Sequence, residues 1–259
     1  MGDKMNETFL FNTIIKKYSN PDEIEYLKKM SHTGLEDYEE IAIEKYCKAP
    51  ADILTIGCGA GREAIALAKR NFSVTAIDIV ETLARLSYKE AKKMSLKGFF
   101  LAMNACNLGF HSDSFDYVFL LSQVISLIPL RKNRINTLKE CGRVLKKEGI
   151  LMLTTHSREK NRREKLTWEI INFIRKIKAH ILKGTPIETG DKWVVAISGY
   201  KLSKEKIFMH LYTPEEALED IKTAGLTPID VVSATEIVNE RYCPKIRKSD
   251  KYIFYIVKK

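Results

Sequence analysis

The stretch Ile53-Leu54-Thr55-Ile56-Gly57-Cys58-Gly59-Ala60-Gly61 sets a glycine-rich turn between an apolar run and a helix-forming one. A second apolar run, over 73–77, ends in Asp78. Glycines let a backbone come close to a ligand. A carboxylate about twenty residues further on can accept both hydroxyls of a ribose. Strand, glycine turn, helix and acidic strand end together predict a nucleotide-sized crevice at the carboxyl edge of a parallel sheet.

The spacing separates two ligand classes. A dinucleotide fingerprint, G-x-G-x-x-G, needs its third glycine at position 62, and that residue is Arg62. Gly57, Gly59 and Gly61 instead read G-x-G-x-G, which suits an adenosyl amino acid with no pyrophosphate. The stretch resembles the first motif, L-D-I-G-C-G-x-G, of the class I S-adenosylmethionine-dependent methyltransferases. Phe115-Asp116-Tyr117-Val118 is similar to that family's S-F-D-x-V, and Arg143-Val144-Leu145-Lys146-Lys147-Glu148-Gly149 to its R-V-L-K-P-G-G. His210-Leu211-Tyr212-Thr213-Pro214-Glu215-Glu216 and Ala224-Gly225-Leu226 resemble its Y-T-x-E-E-L and A-G-F elements. The likeness is close over 50–156 and looser beyond.

The resemblance implies S-adenosyl-L-methionine as cofactor and assigns roles to residues. Gly57, Cys58, Gly59 and Gly61 would line the methionine and ribose portion. Asp78 would hold the ribose hydroxyls, with Ile79 against the adenine. Asn104, Ala105 and Cys106 would edge the adenine, and Ser122 and Gln123 would lie beneath the sulfonium. Two positions depart from the family. Thr55 stands where it usually has Asp or Glu, and Asn104 where it often has Asp. Asn104 keeps a carbonyl that can accept from the adenine amino group; Thr55 supplies no charge.

The elements that must position these residues follow from periodicity. Strands are predicted over 52–56, 73–78, 97–103, 115–121 and 149–155, with helices over 62–70, 81–94 and 130–146 between them. Alternation with continuous apolar strands predicts a parallel sheet covered on both faces. Strands over 226–232 and 252–257 complete a three-layer, doubly wound, mostly parallel seven-stranded α/β sheet. Residues 1–50 read as an N-terminal helical cap, 51–156 as the cofactor-binding core, 157–212 as a basic α/β lid insertion after strand five, and 213–259 as completion of the sheet. Within the insertion, Leu166, Ile170, Phe173, Ile174, Ile177 and Ile181 recur at helical spacing, ahead of a hairpin over 192–197 and 206–212.

Composition narrows the setting. Of the net charge of +10 over 259 residues, residues 131–183 supply an excess of +11. Such a segment attracts an anion or simply solvates a helix face. The five cysteines, Cys47, Cys58, Cys106, Cys141 and Cys243, show no C-x-x-C spacing, which fits a reducing cytosol and predicts no metal site. The first residues lack the apolar core of a signal peptide, and no run is long enough to span a bilayer. A cytoplasmic protein is expected; the oligomeric state is left open.

Methyl transfer needs a general base only if the acceptor must lose a proton. His156, at the end of strand five, is the first candidate, with His210 and Tyr212 after it. Tyr18, Tyr38 and Tyr200 could close over the site. The end of strand four carries neither Asn/Asp-Pro-Pro-Tyr nor Pro-Cys, which disfavours transfer to exocyclic base amines or cytosine C5. A small-molecule acceptor is the leading expectation. The alternatives are an RNA methyltransferase gripping phosphates with Arg158, Lys160, Arg162, Arg163, Lys165, Arg175, Lys176 and Lys178, and a non-catalytic adenosyl-ligand binding module.

Overall fold

The computed structural model describes residues 7–158, 166–171, 173–174, 188–198, 201–242 and 252–259. Three helices come first: α1 (Glu7–Tyr18), α2 (Pro21–Met30) and α3 (Asp37–Tyr46). The start of α2 is written in its sequence. The Asn20 side chain accepts from the Asp22 N–H, and Pro21 takes a position where no donor is needed. Strand and helix then alternate through β1 (Asp52–Ile56), α4 (Arg62–Lys69), β2 (Ser73–Asp78), α5 (Glu81–Lys93) and β3 (Phe99–Ala102). β4 (Phe115–Leu120), the short α6 (Val124–Leu127), α7 (Arg131–Val144) and β5 (Leu145–His156) follow. The hairpin β6 (Asp191–Ser198) and β7 (Lys201–His210) leads to α8 (Pro214–Thr223), β8 (Thr227–Ser233), α9 (Ala234–Tyr242) and β9 (Tyr252–Lys258).

Seven strands form one sheet in the order β3-β2-β1-β4-β5-β9-β8, mostly parallel as expected, with β9 antiparallel to both neighbours. Successive strand side chains point to opposite faces. Leu54 and Ile56 of β1 pack in the layer of Leu138 and Cys141 from α7 and Ile221 from α8. Ile53 packs in the other layer, with Ile43 of α3 and Leu67 of α4. Both faces are therefore apolar, and the strands read as continuous apolar runs rather than alternating ones. The chain order reverses at β1, with β2 on one side and β4 on the other. Loops leave that point in opposite directions, which opens a crevice at the carboxyl ends of the strands.

Four details differ from the sequence expectation. β5 starts at Leu145, where a helix was expected to run to 146. The stretch from 146 to 149 is an irregularity inside the strand, with Glu148 at φ 65° and a register shift against β4. A Cβ on Gly149 would meet the Lys146 carbonyl at 2.8 Å, so only glycine fits there. The helix α9 had no place in the expected pattern, although Ser233 and Glu236 cap it reciprocally, N–H to side-chain oxygen, at 3.0 and 3.1 Å. The basic helical stretch is helical over the described residues 166–171 and 173–174, but Leu166, Ile170, Phe173 and Ile174 are exposed; Ile177 and Ile181 lie outside the described residues. The hairpin strands are longer than expected, and Tyr200 at their turn lies outside the described residues.

The N-terminal helices meet the hairpin. The Phe9 ring lies 6.3 Å from that of Trp193, and Ile14 buries itself with Ile207, beside Tyr18, Leu127 and Val194. No helix among the described residues is long and apolar enough to cross a membrane.

Candidate active site

The glycine turn leaves β1 and is tied at once to β2. The N–H groups of Gly57 and Cys58 both donate to the Ile77 carbonyl, at 2.8 and 3.0 Å. Gly57 sits at φ 72°, and a Cβ there would come within 2.5 Å of Val124. A Gly57→Ala variant thus meets a conformational and a steric penalty together. It should lose about 3 kcal/mol of stability. Denaturant titration checks this, and Val124→Ala in the same chain should restore the steric part.

Asp78 closes the other side of the turn. Its Oδ2 accepts from the Gly59 N–H and its Oδ1 from the Val80 N–H, both at 2.8 Å. Burial raises its carboxyl above the usual carboxylate range, against the pull of those two donors. The backbone holds the carboxylate in place and leaves each oxygen a further lone pair for a ligand.

The cleft above the turn encloses about 1060 Å³ of atom-free space, part of it open to solvent. Its floor is the turn itself, with Gly57, Cys58, Gly59 and Ala60. Asp78, Ile79, Val80, Met103, Asn104 and Ala105 line the β2 and β3 end, and Ser122, Val124, Leu127 and Ile128 the β4 end. Phe11, Ile14 and Tyr18 of α1 and Leu27 and Met30 of α2 form an apolar wall across from the turn. Burial and the charge of Glu23, with that of Asp78, keep the Tyr18 phenol protonated far above its ordinary range.

Of the residues expected at the site, Gly57, Cys58, Gly59, Asp78, Ile79, Asn104, Ala105, Ser122 and Tyr18 line this cleft. Gly61, Cys106 and Gln123 stand behind it. Gly61 caps α4, and a Cβ there would strike Ser87. The Cys106 sulfur sits against Thr137, and its N–H is taken by the Asn104 side-chain carbonyl. Gln123 donates its N–H to Thr154 Oγ1 at 2.9 Å. Tyr38 packs instead on Phe254 and Tyr252.

Neither Tyr212 nor any of the described histidines is among the residues that line the cleft. The His156 ring packs on Tyr252, 5.3 Å away. His210 is 2% exposed, its Nδ1 2.9 Å from Asp191 Oδ1 and its ring edge-on to Tyr212. Burial, reinforced by Arg134, pushes the His210 pKa down to about 2. Tyr212, equally buried, donates to Asp220 Oδ2 at 3.3 Å. Tyr212 thus joins the chain after β7 to α7, through the Arg134 guanidinium over its ring, and to α8, through Asp220. Glu188, Asp191 and His210 bring three atoms able to ligate a metal within 4.8 Å of one another. All three side chains are engaged: Glu188 accepts from Arg134 Nη2 at 2.5 Å and from the Arg131 N–H at 2.7 Å. The positive charge at this cluster comes from the protein's own guanidinium groups.

The sequence reading passed over the residues around Arg62. One guanidinium nitrogen donates to the Gly34 carbonyl and to Glu39, at 3.0 and 2.7 Å. The other donates to Glu39, Glu63 and Ser122, at 2.8, 2.7 and 3.1 Å. This network straps α3 to the glycine turn. Burial works against the charge on Arg62, but Glu63 and Glu39 outweigh it. The one signal in the sequence was the arginine at the place of a third glycine.

Residues 54–153 match the family model described as a methyltransferase domain. The matched residues make up less than half of the chain. They run from β1 to β5 and hold the glycine turn, Asp78 and Ser122. YqeM of Bacillus subtilis (strain 168), named provisionally as a methyltransferase, is 32% identical over 133 residues, 51% of this chain and 53% of that protein. The chain spans about half the length of the curated relatives it matches. Among solved structures, a SAM-dependent methyltransferase of Methanosarcina mazei is similar with a TM-score of 0.64 at 24% identity, covering 87% of this chain and 98% of that one. The [4+2]-cyclase SpnF is similar with a TM-score of 0.59 at 18% identity, covering 86% and 80%. At such identities the likeness to these structures establishes the fold alone. The cyclase is a reminder that one fold serves more than one chemistry.

Proposed function

We propose that this protein transfers a methyl group from S-adenosyl-L-methionine to a small molecule with an apolar body. The observation that carries this reading is the composition of the cleft. One end holds a backbone-locked carboxylate, Asp78, beside Ile79, Asn104 and Ala105, and the far wall is apolar. The residue set fits the cofactor. Asp78 would hold the ribose, Asn104 and Ile79 the adenine, and the backbone of Gly57, Cys58 and Gly59 the portion between, where any Cβ at Gly57 is excluded by Val124.

When bound, the cofactor supplies an activated methyl group on a sulfonium. The chain's own share is positioning. The apolar wall from α1, α2 and α6 would orient the acceptor and exclude water, and proximity supplies much of the rate. In this reading the N-terminal helices and the β6–β7 hairpin act together as a lid.

The RNA alternative draws less support. Of its eight cations, Arg158 is buried and paired with Glu216 at 3.0 Å; the other seven lie outside the described residues. Arg62, the cation in the cleft lining, is engaged by Glu39 and Glu63. The test is incubation with methyl-labelled S-adenosylmethionine and two pools from one cell extract, total RNA and metabolites small enough to pass a filter. Label confined to the filtrate is the expected outcome. Label in the RNA overturns the small-molecule reading, and cofactor binding with label in neither pool favours a binding module.

A further inference from the structure

We infer that Glu63 receives the α-ammonium group of the cofactor's methionine portion; this rests on the cofactor reading above. The argument starts from charge. A buried ammonium needs a carboxylate partner. In this chain the carboxyl end of β1 offers none, because Thr55 stands there and its Oγ1 is buried without a hydrogen-bond partner; Asp52, at the other end of the strand, pairs with Lys146. Two carboxylates line the cleft, Asp78 and Glu63. The strand order β2-β1-β4 sets them on opposite sides of the glycine turn. Asp78 ends β2, and Glu63, on α4, is held by Ser122 just past β4. A ligand with its ribose on Asp78 and its length along the turn therefore ends at Glu63.

The state of the groups at that end favours an ammonium over the ligand's carboxylate. Arg62 could have bound an anion, but its two terminal nitrogens already donate to Gly34, Glu39, Glu63 and Ser122. Glu63 accepts at Oε1 from Arg62 at 2.7 Å and from the Ser122 hydroxyl at 2.6 Å. Its Oε2 has no partner among the described residues. Glu63 also lines the small cavity beside Thr55, Phe119 and Leu121, so its side chain occupies the space next to the position where β1 lacks an acid.

Three ligands measured by calorimetry on wild type and Glu63→Gln decide the matter. They are S-adenosylhomocysteine, its analogue lacking the α-amino group, and 5′-methylthioadenosine, which keeps the adenosine and sulfur but lacks the amino-acid portion. The variant should bind S-adenosylhomocysteine at least about tenfold more weakly and the other two within twofold of wild type. Equal losses for all three ligands would mean that Glu63 only braces Arg62 and Ser122, and overturn the inference; so would no loss at all. The unchanged binding of 5′-methylthioadenosine also reports that the variant is folded. Failure of the wild type to bind any of the three overturns the cofactor reading, and this inference with it.

Discussion

Asp78→Ala should lower affinity for S-adenosylhomocysteine by about two to four orders of magnitude. The carboxylate is fixed by the N–H groups of Gly59 and Val80 and lines the cleft with lone pairs to spare. Two hydrogen bonds from ribose hydroxyls to a buried carboxylate are each worth about 1.5–3 kcal/mol, which brings the pair into that range. Calorimetry gives the affinity. The cause is separated from general damage with the analogue lacking both ribose hydroxyls. Wild type should bind it about as weakly as Asp78→Ala binds the parent compound, and the substitution should then cost nothing more. A full additional loss on the analogue would show that Asp78 acts by shaping the turn instead. The raised carboxyl pKa adds a pH signature: affinity should fall as acid protonates Asp78, sooner than for an ordinary aspartate.

The second large effect is on stability in acid. His210 has a folded pKa of about 2 against an ordinary 6.5. In the unfolded chain it takes up a proton below about pH 6.5, while the folded protein excludes that proton. Unfolding therefore binds a proton throughout that window, and stability is lost as pH falls, at about 1.4 kcal/mol per unit. Between pH 6.5 and 5 the loss from this residue alone is about 2 kcal/mol. Chemical denaturation at both values measures it. His210→Gln should be less stable at pH 7.5 yet show a flatter dependence. The comparison between the two proteins cancels Glu216 and Asp220, whose pKa values burial raises and which titrate in both. An equal slope in the variant would mean that His210 takes up its proton in the folded state.

Much of the fold and half of the site could be read locally. The strand, glycine turn and acidic strand end from Ile53 to Asp78 are set by neighbours in the chain: apolar runs buried on both faces and backbone positions at φ 72° and 53° that favour glycine. The caps on α2 and α8 are local as well, as hydrogen bonds between residues two or three apart. The cap on α9 is equally local, a Ser233-x-x-Glu236 signal with Ala234, Ile237, Val238 and Tyr242 at helical spacing, and the sequence reading passed over it.

What the chain order could not supply was which side chains meet. His156, His210 and Tyr212 lie close in sequence to the expected active edge, yet the direction each side chain takes is decided by packing across the sheet. His156 turns onto Tyr252 from β9, and β7 delivers His210 to Asp191 rather than to the cleft. The same holds for Arg62. Its charge partner Glu39 is 23 residues earlier, and Ser122 is 60 residues later. Such pairs form only when the sheet brings α3, α4 and the end of β4 together. Periodicity and turn chemistry act over a few residues, so the sequence by itself determined the crevice and the carboxylate of Asp78 at its edge. Burial and charge pairing act across the whole fold, so only the tertiary structure decided which other charged groups face that crevice.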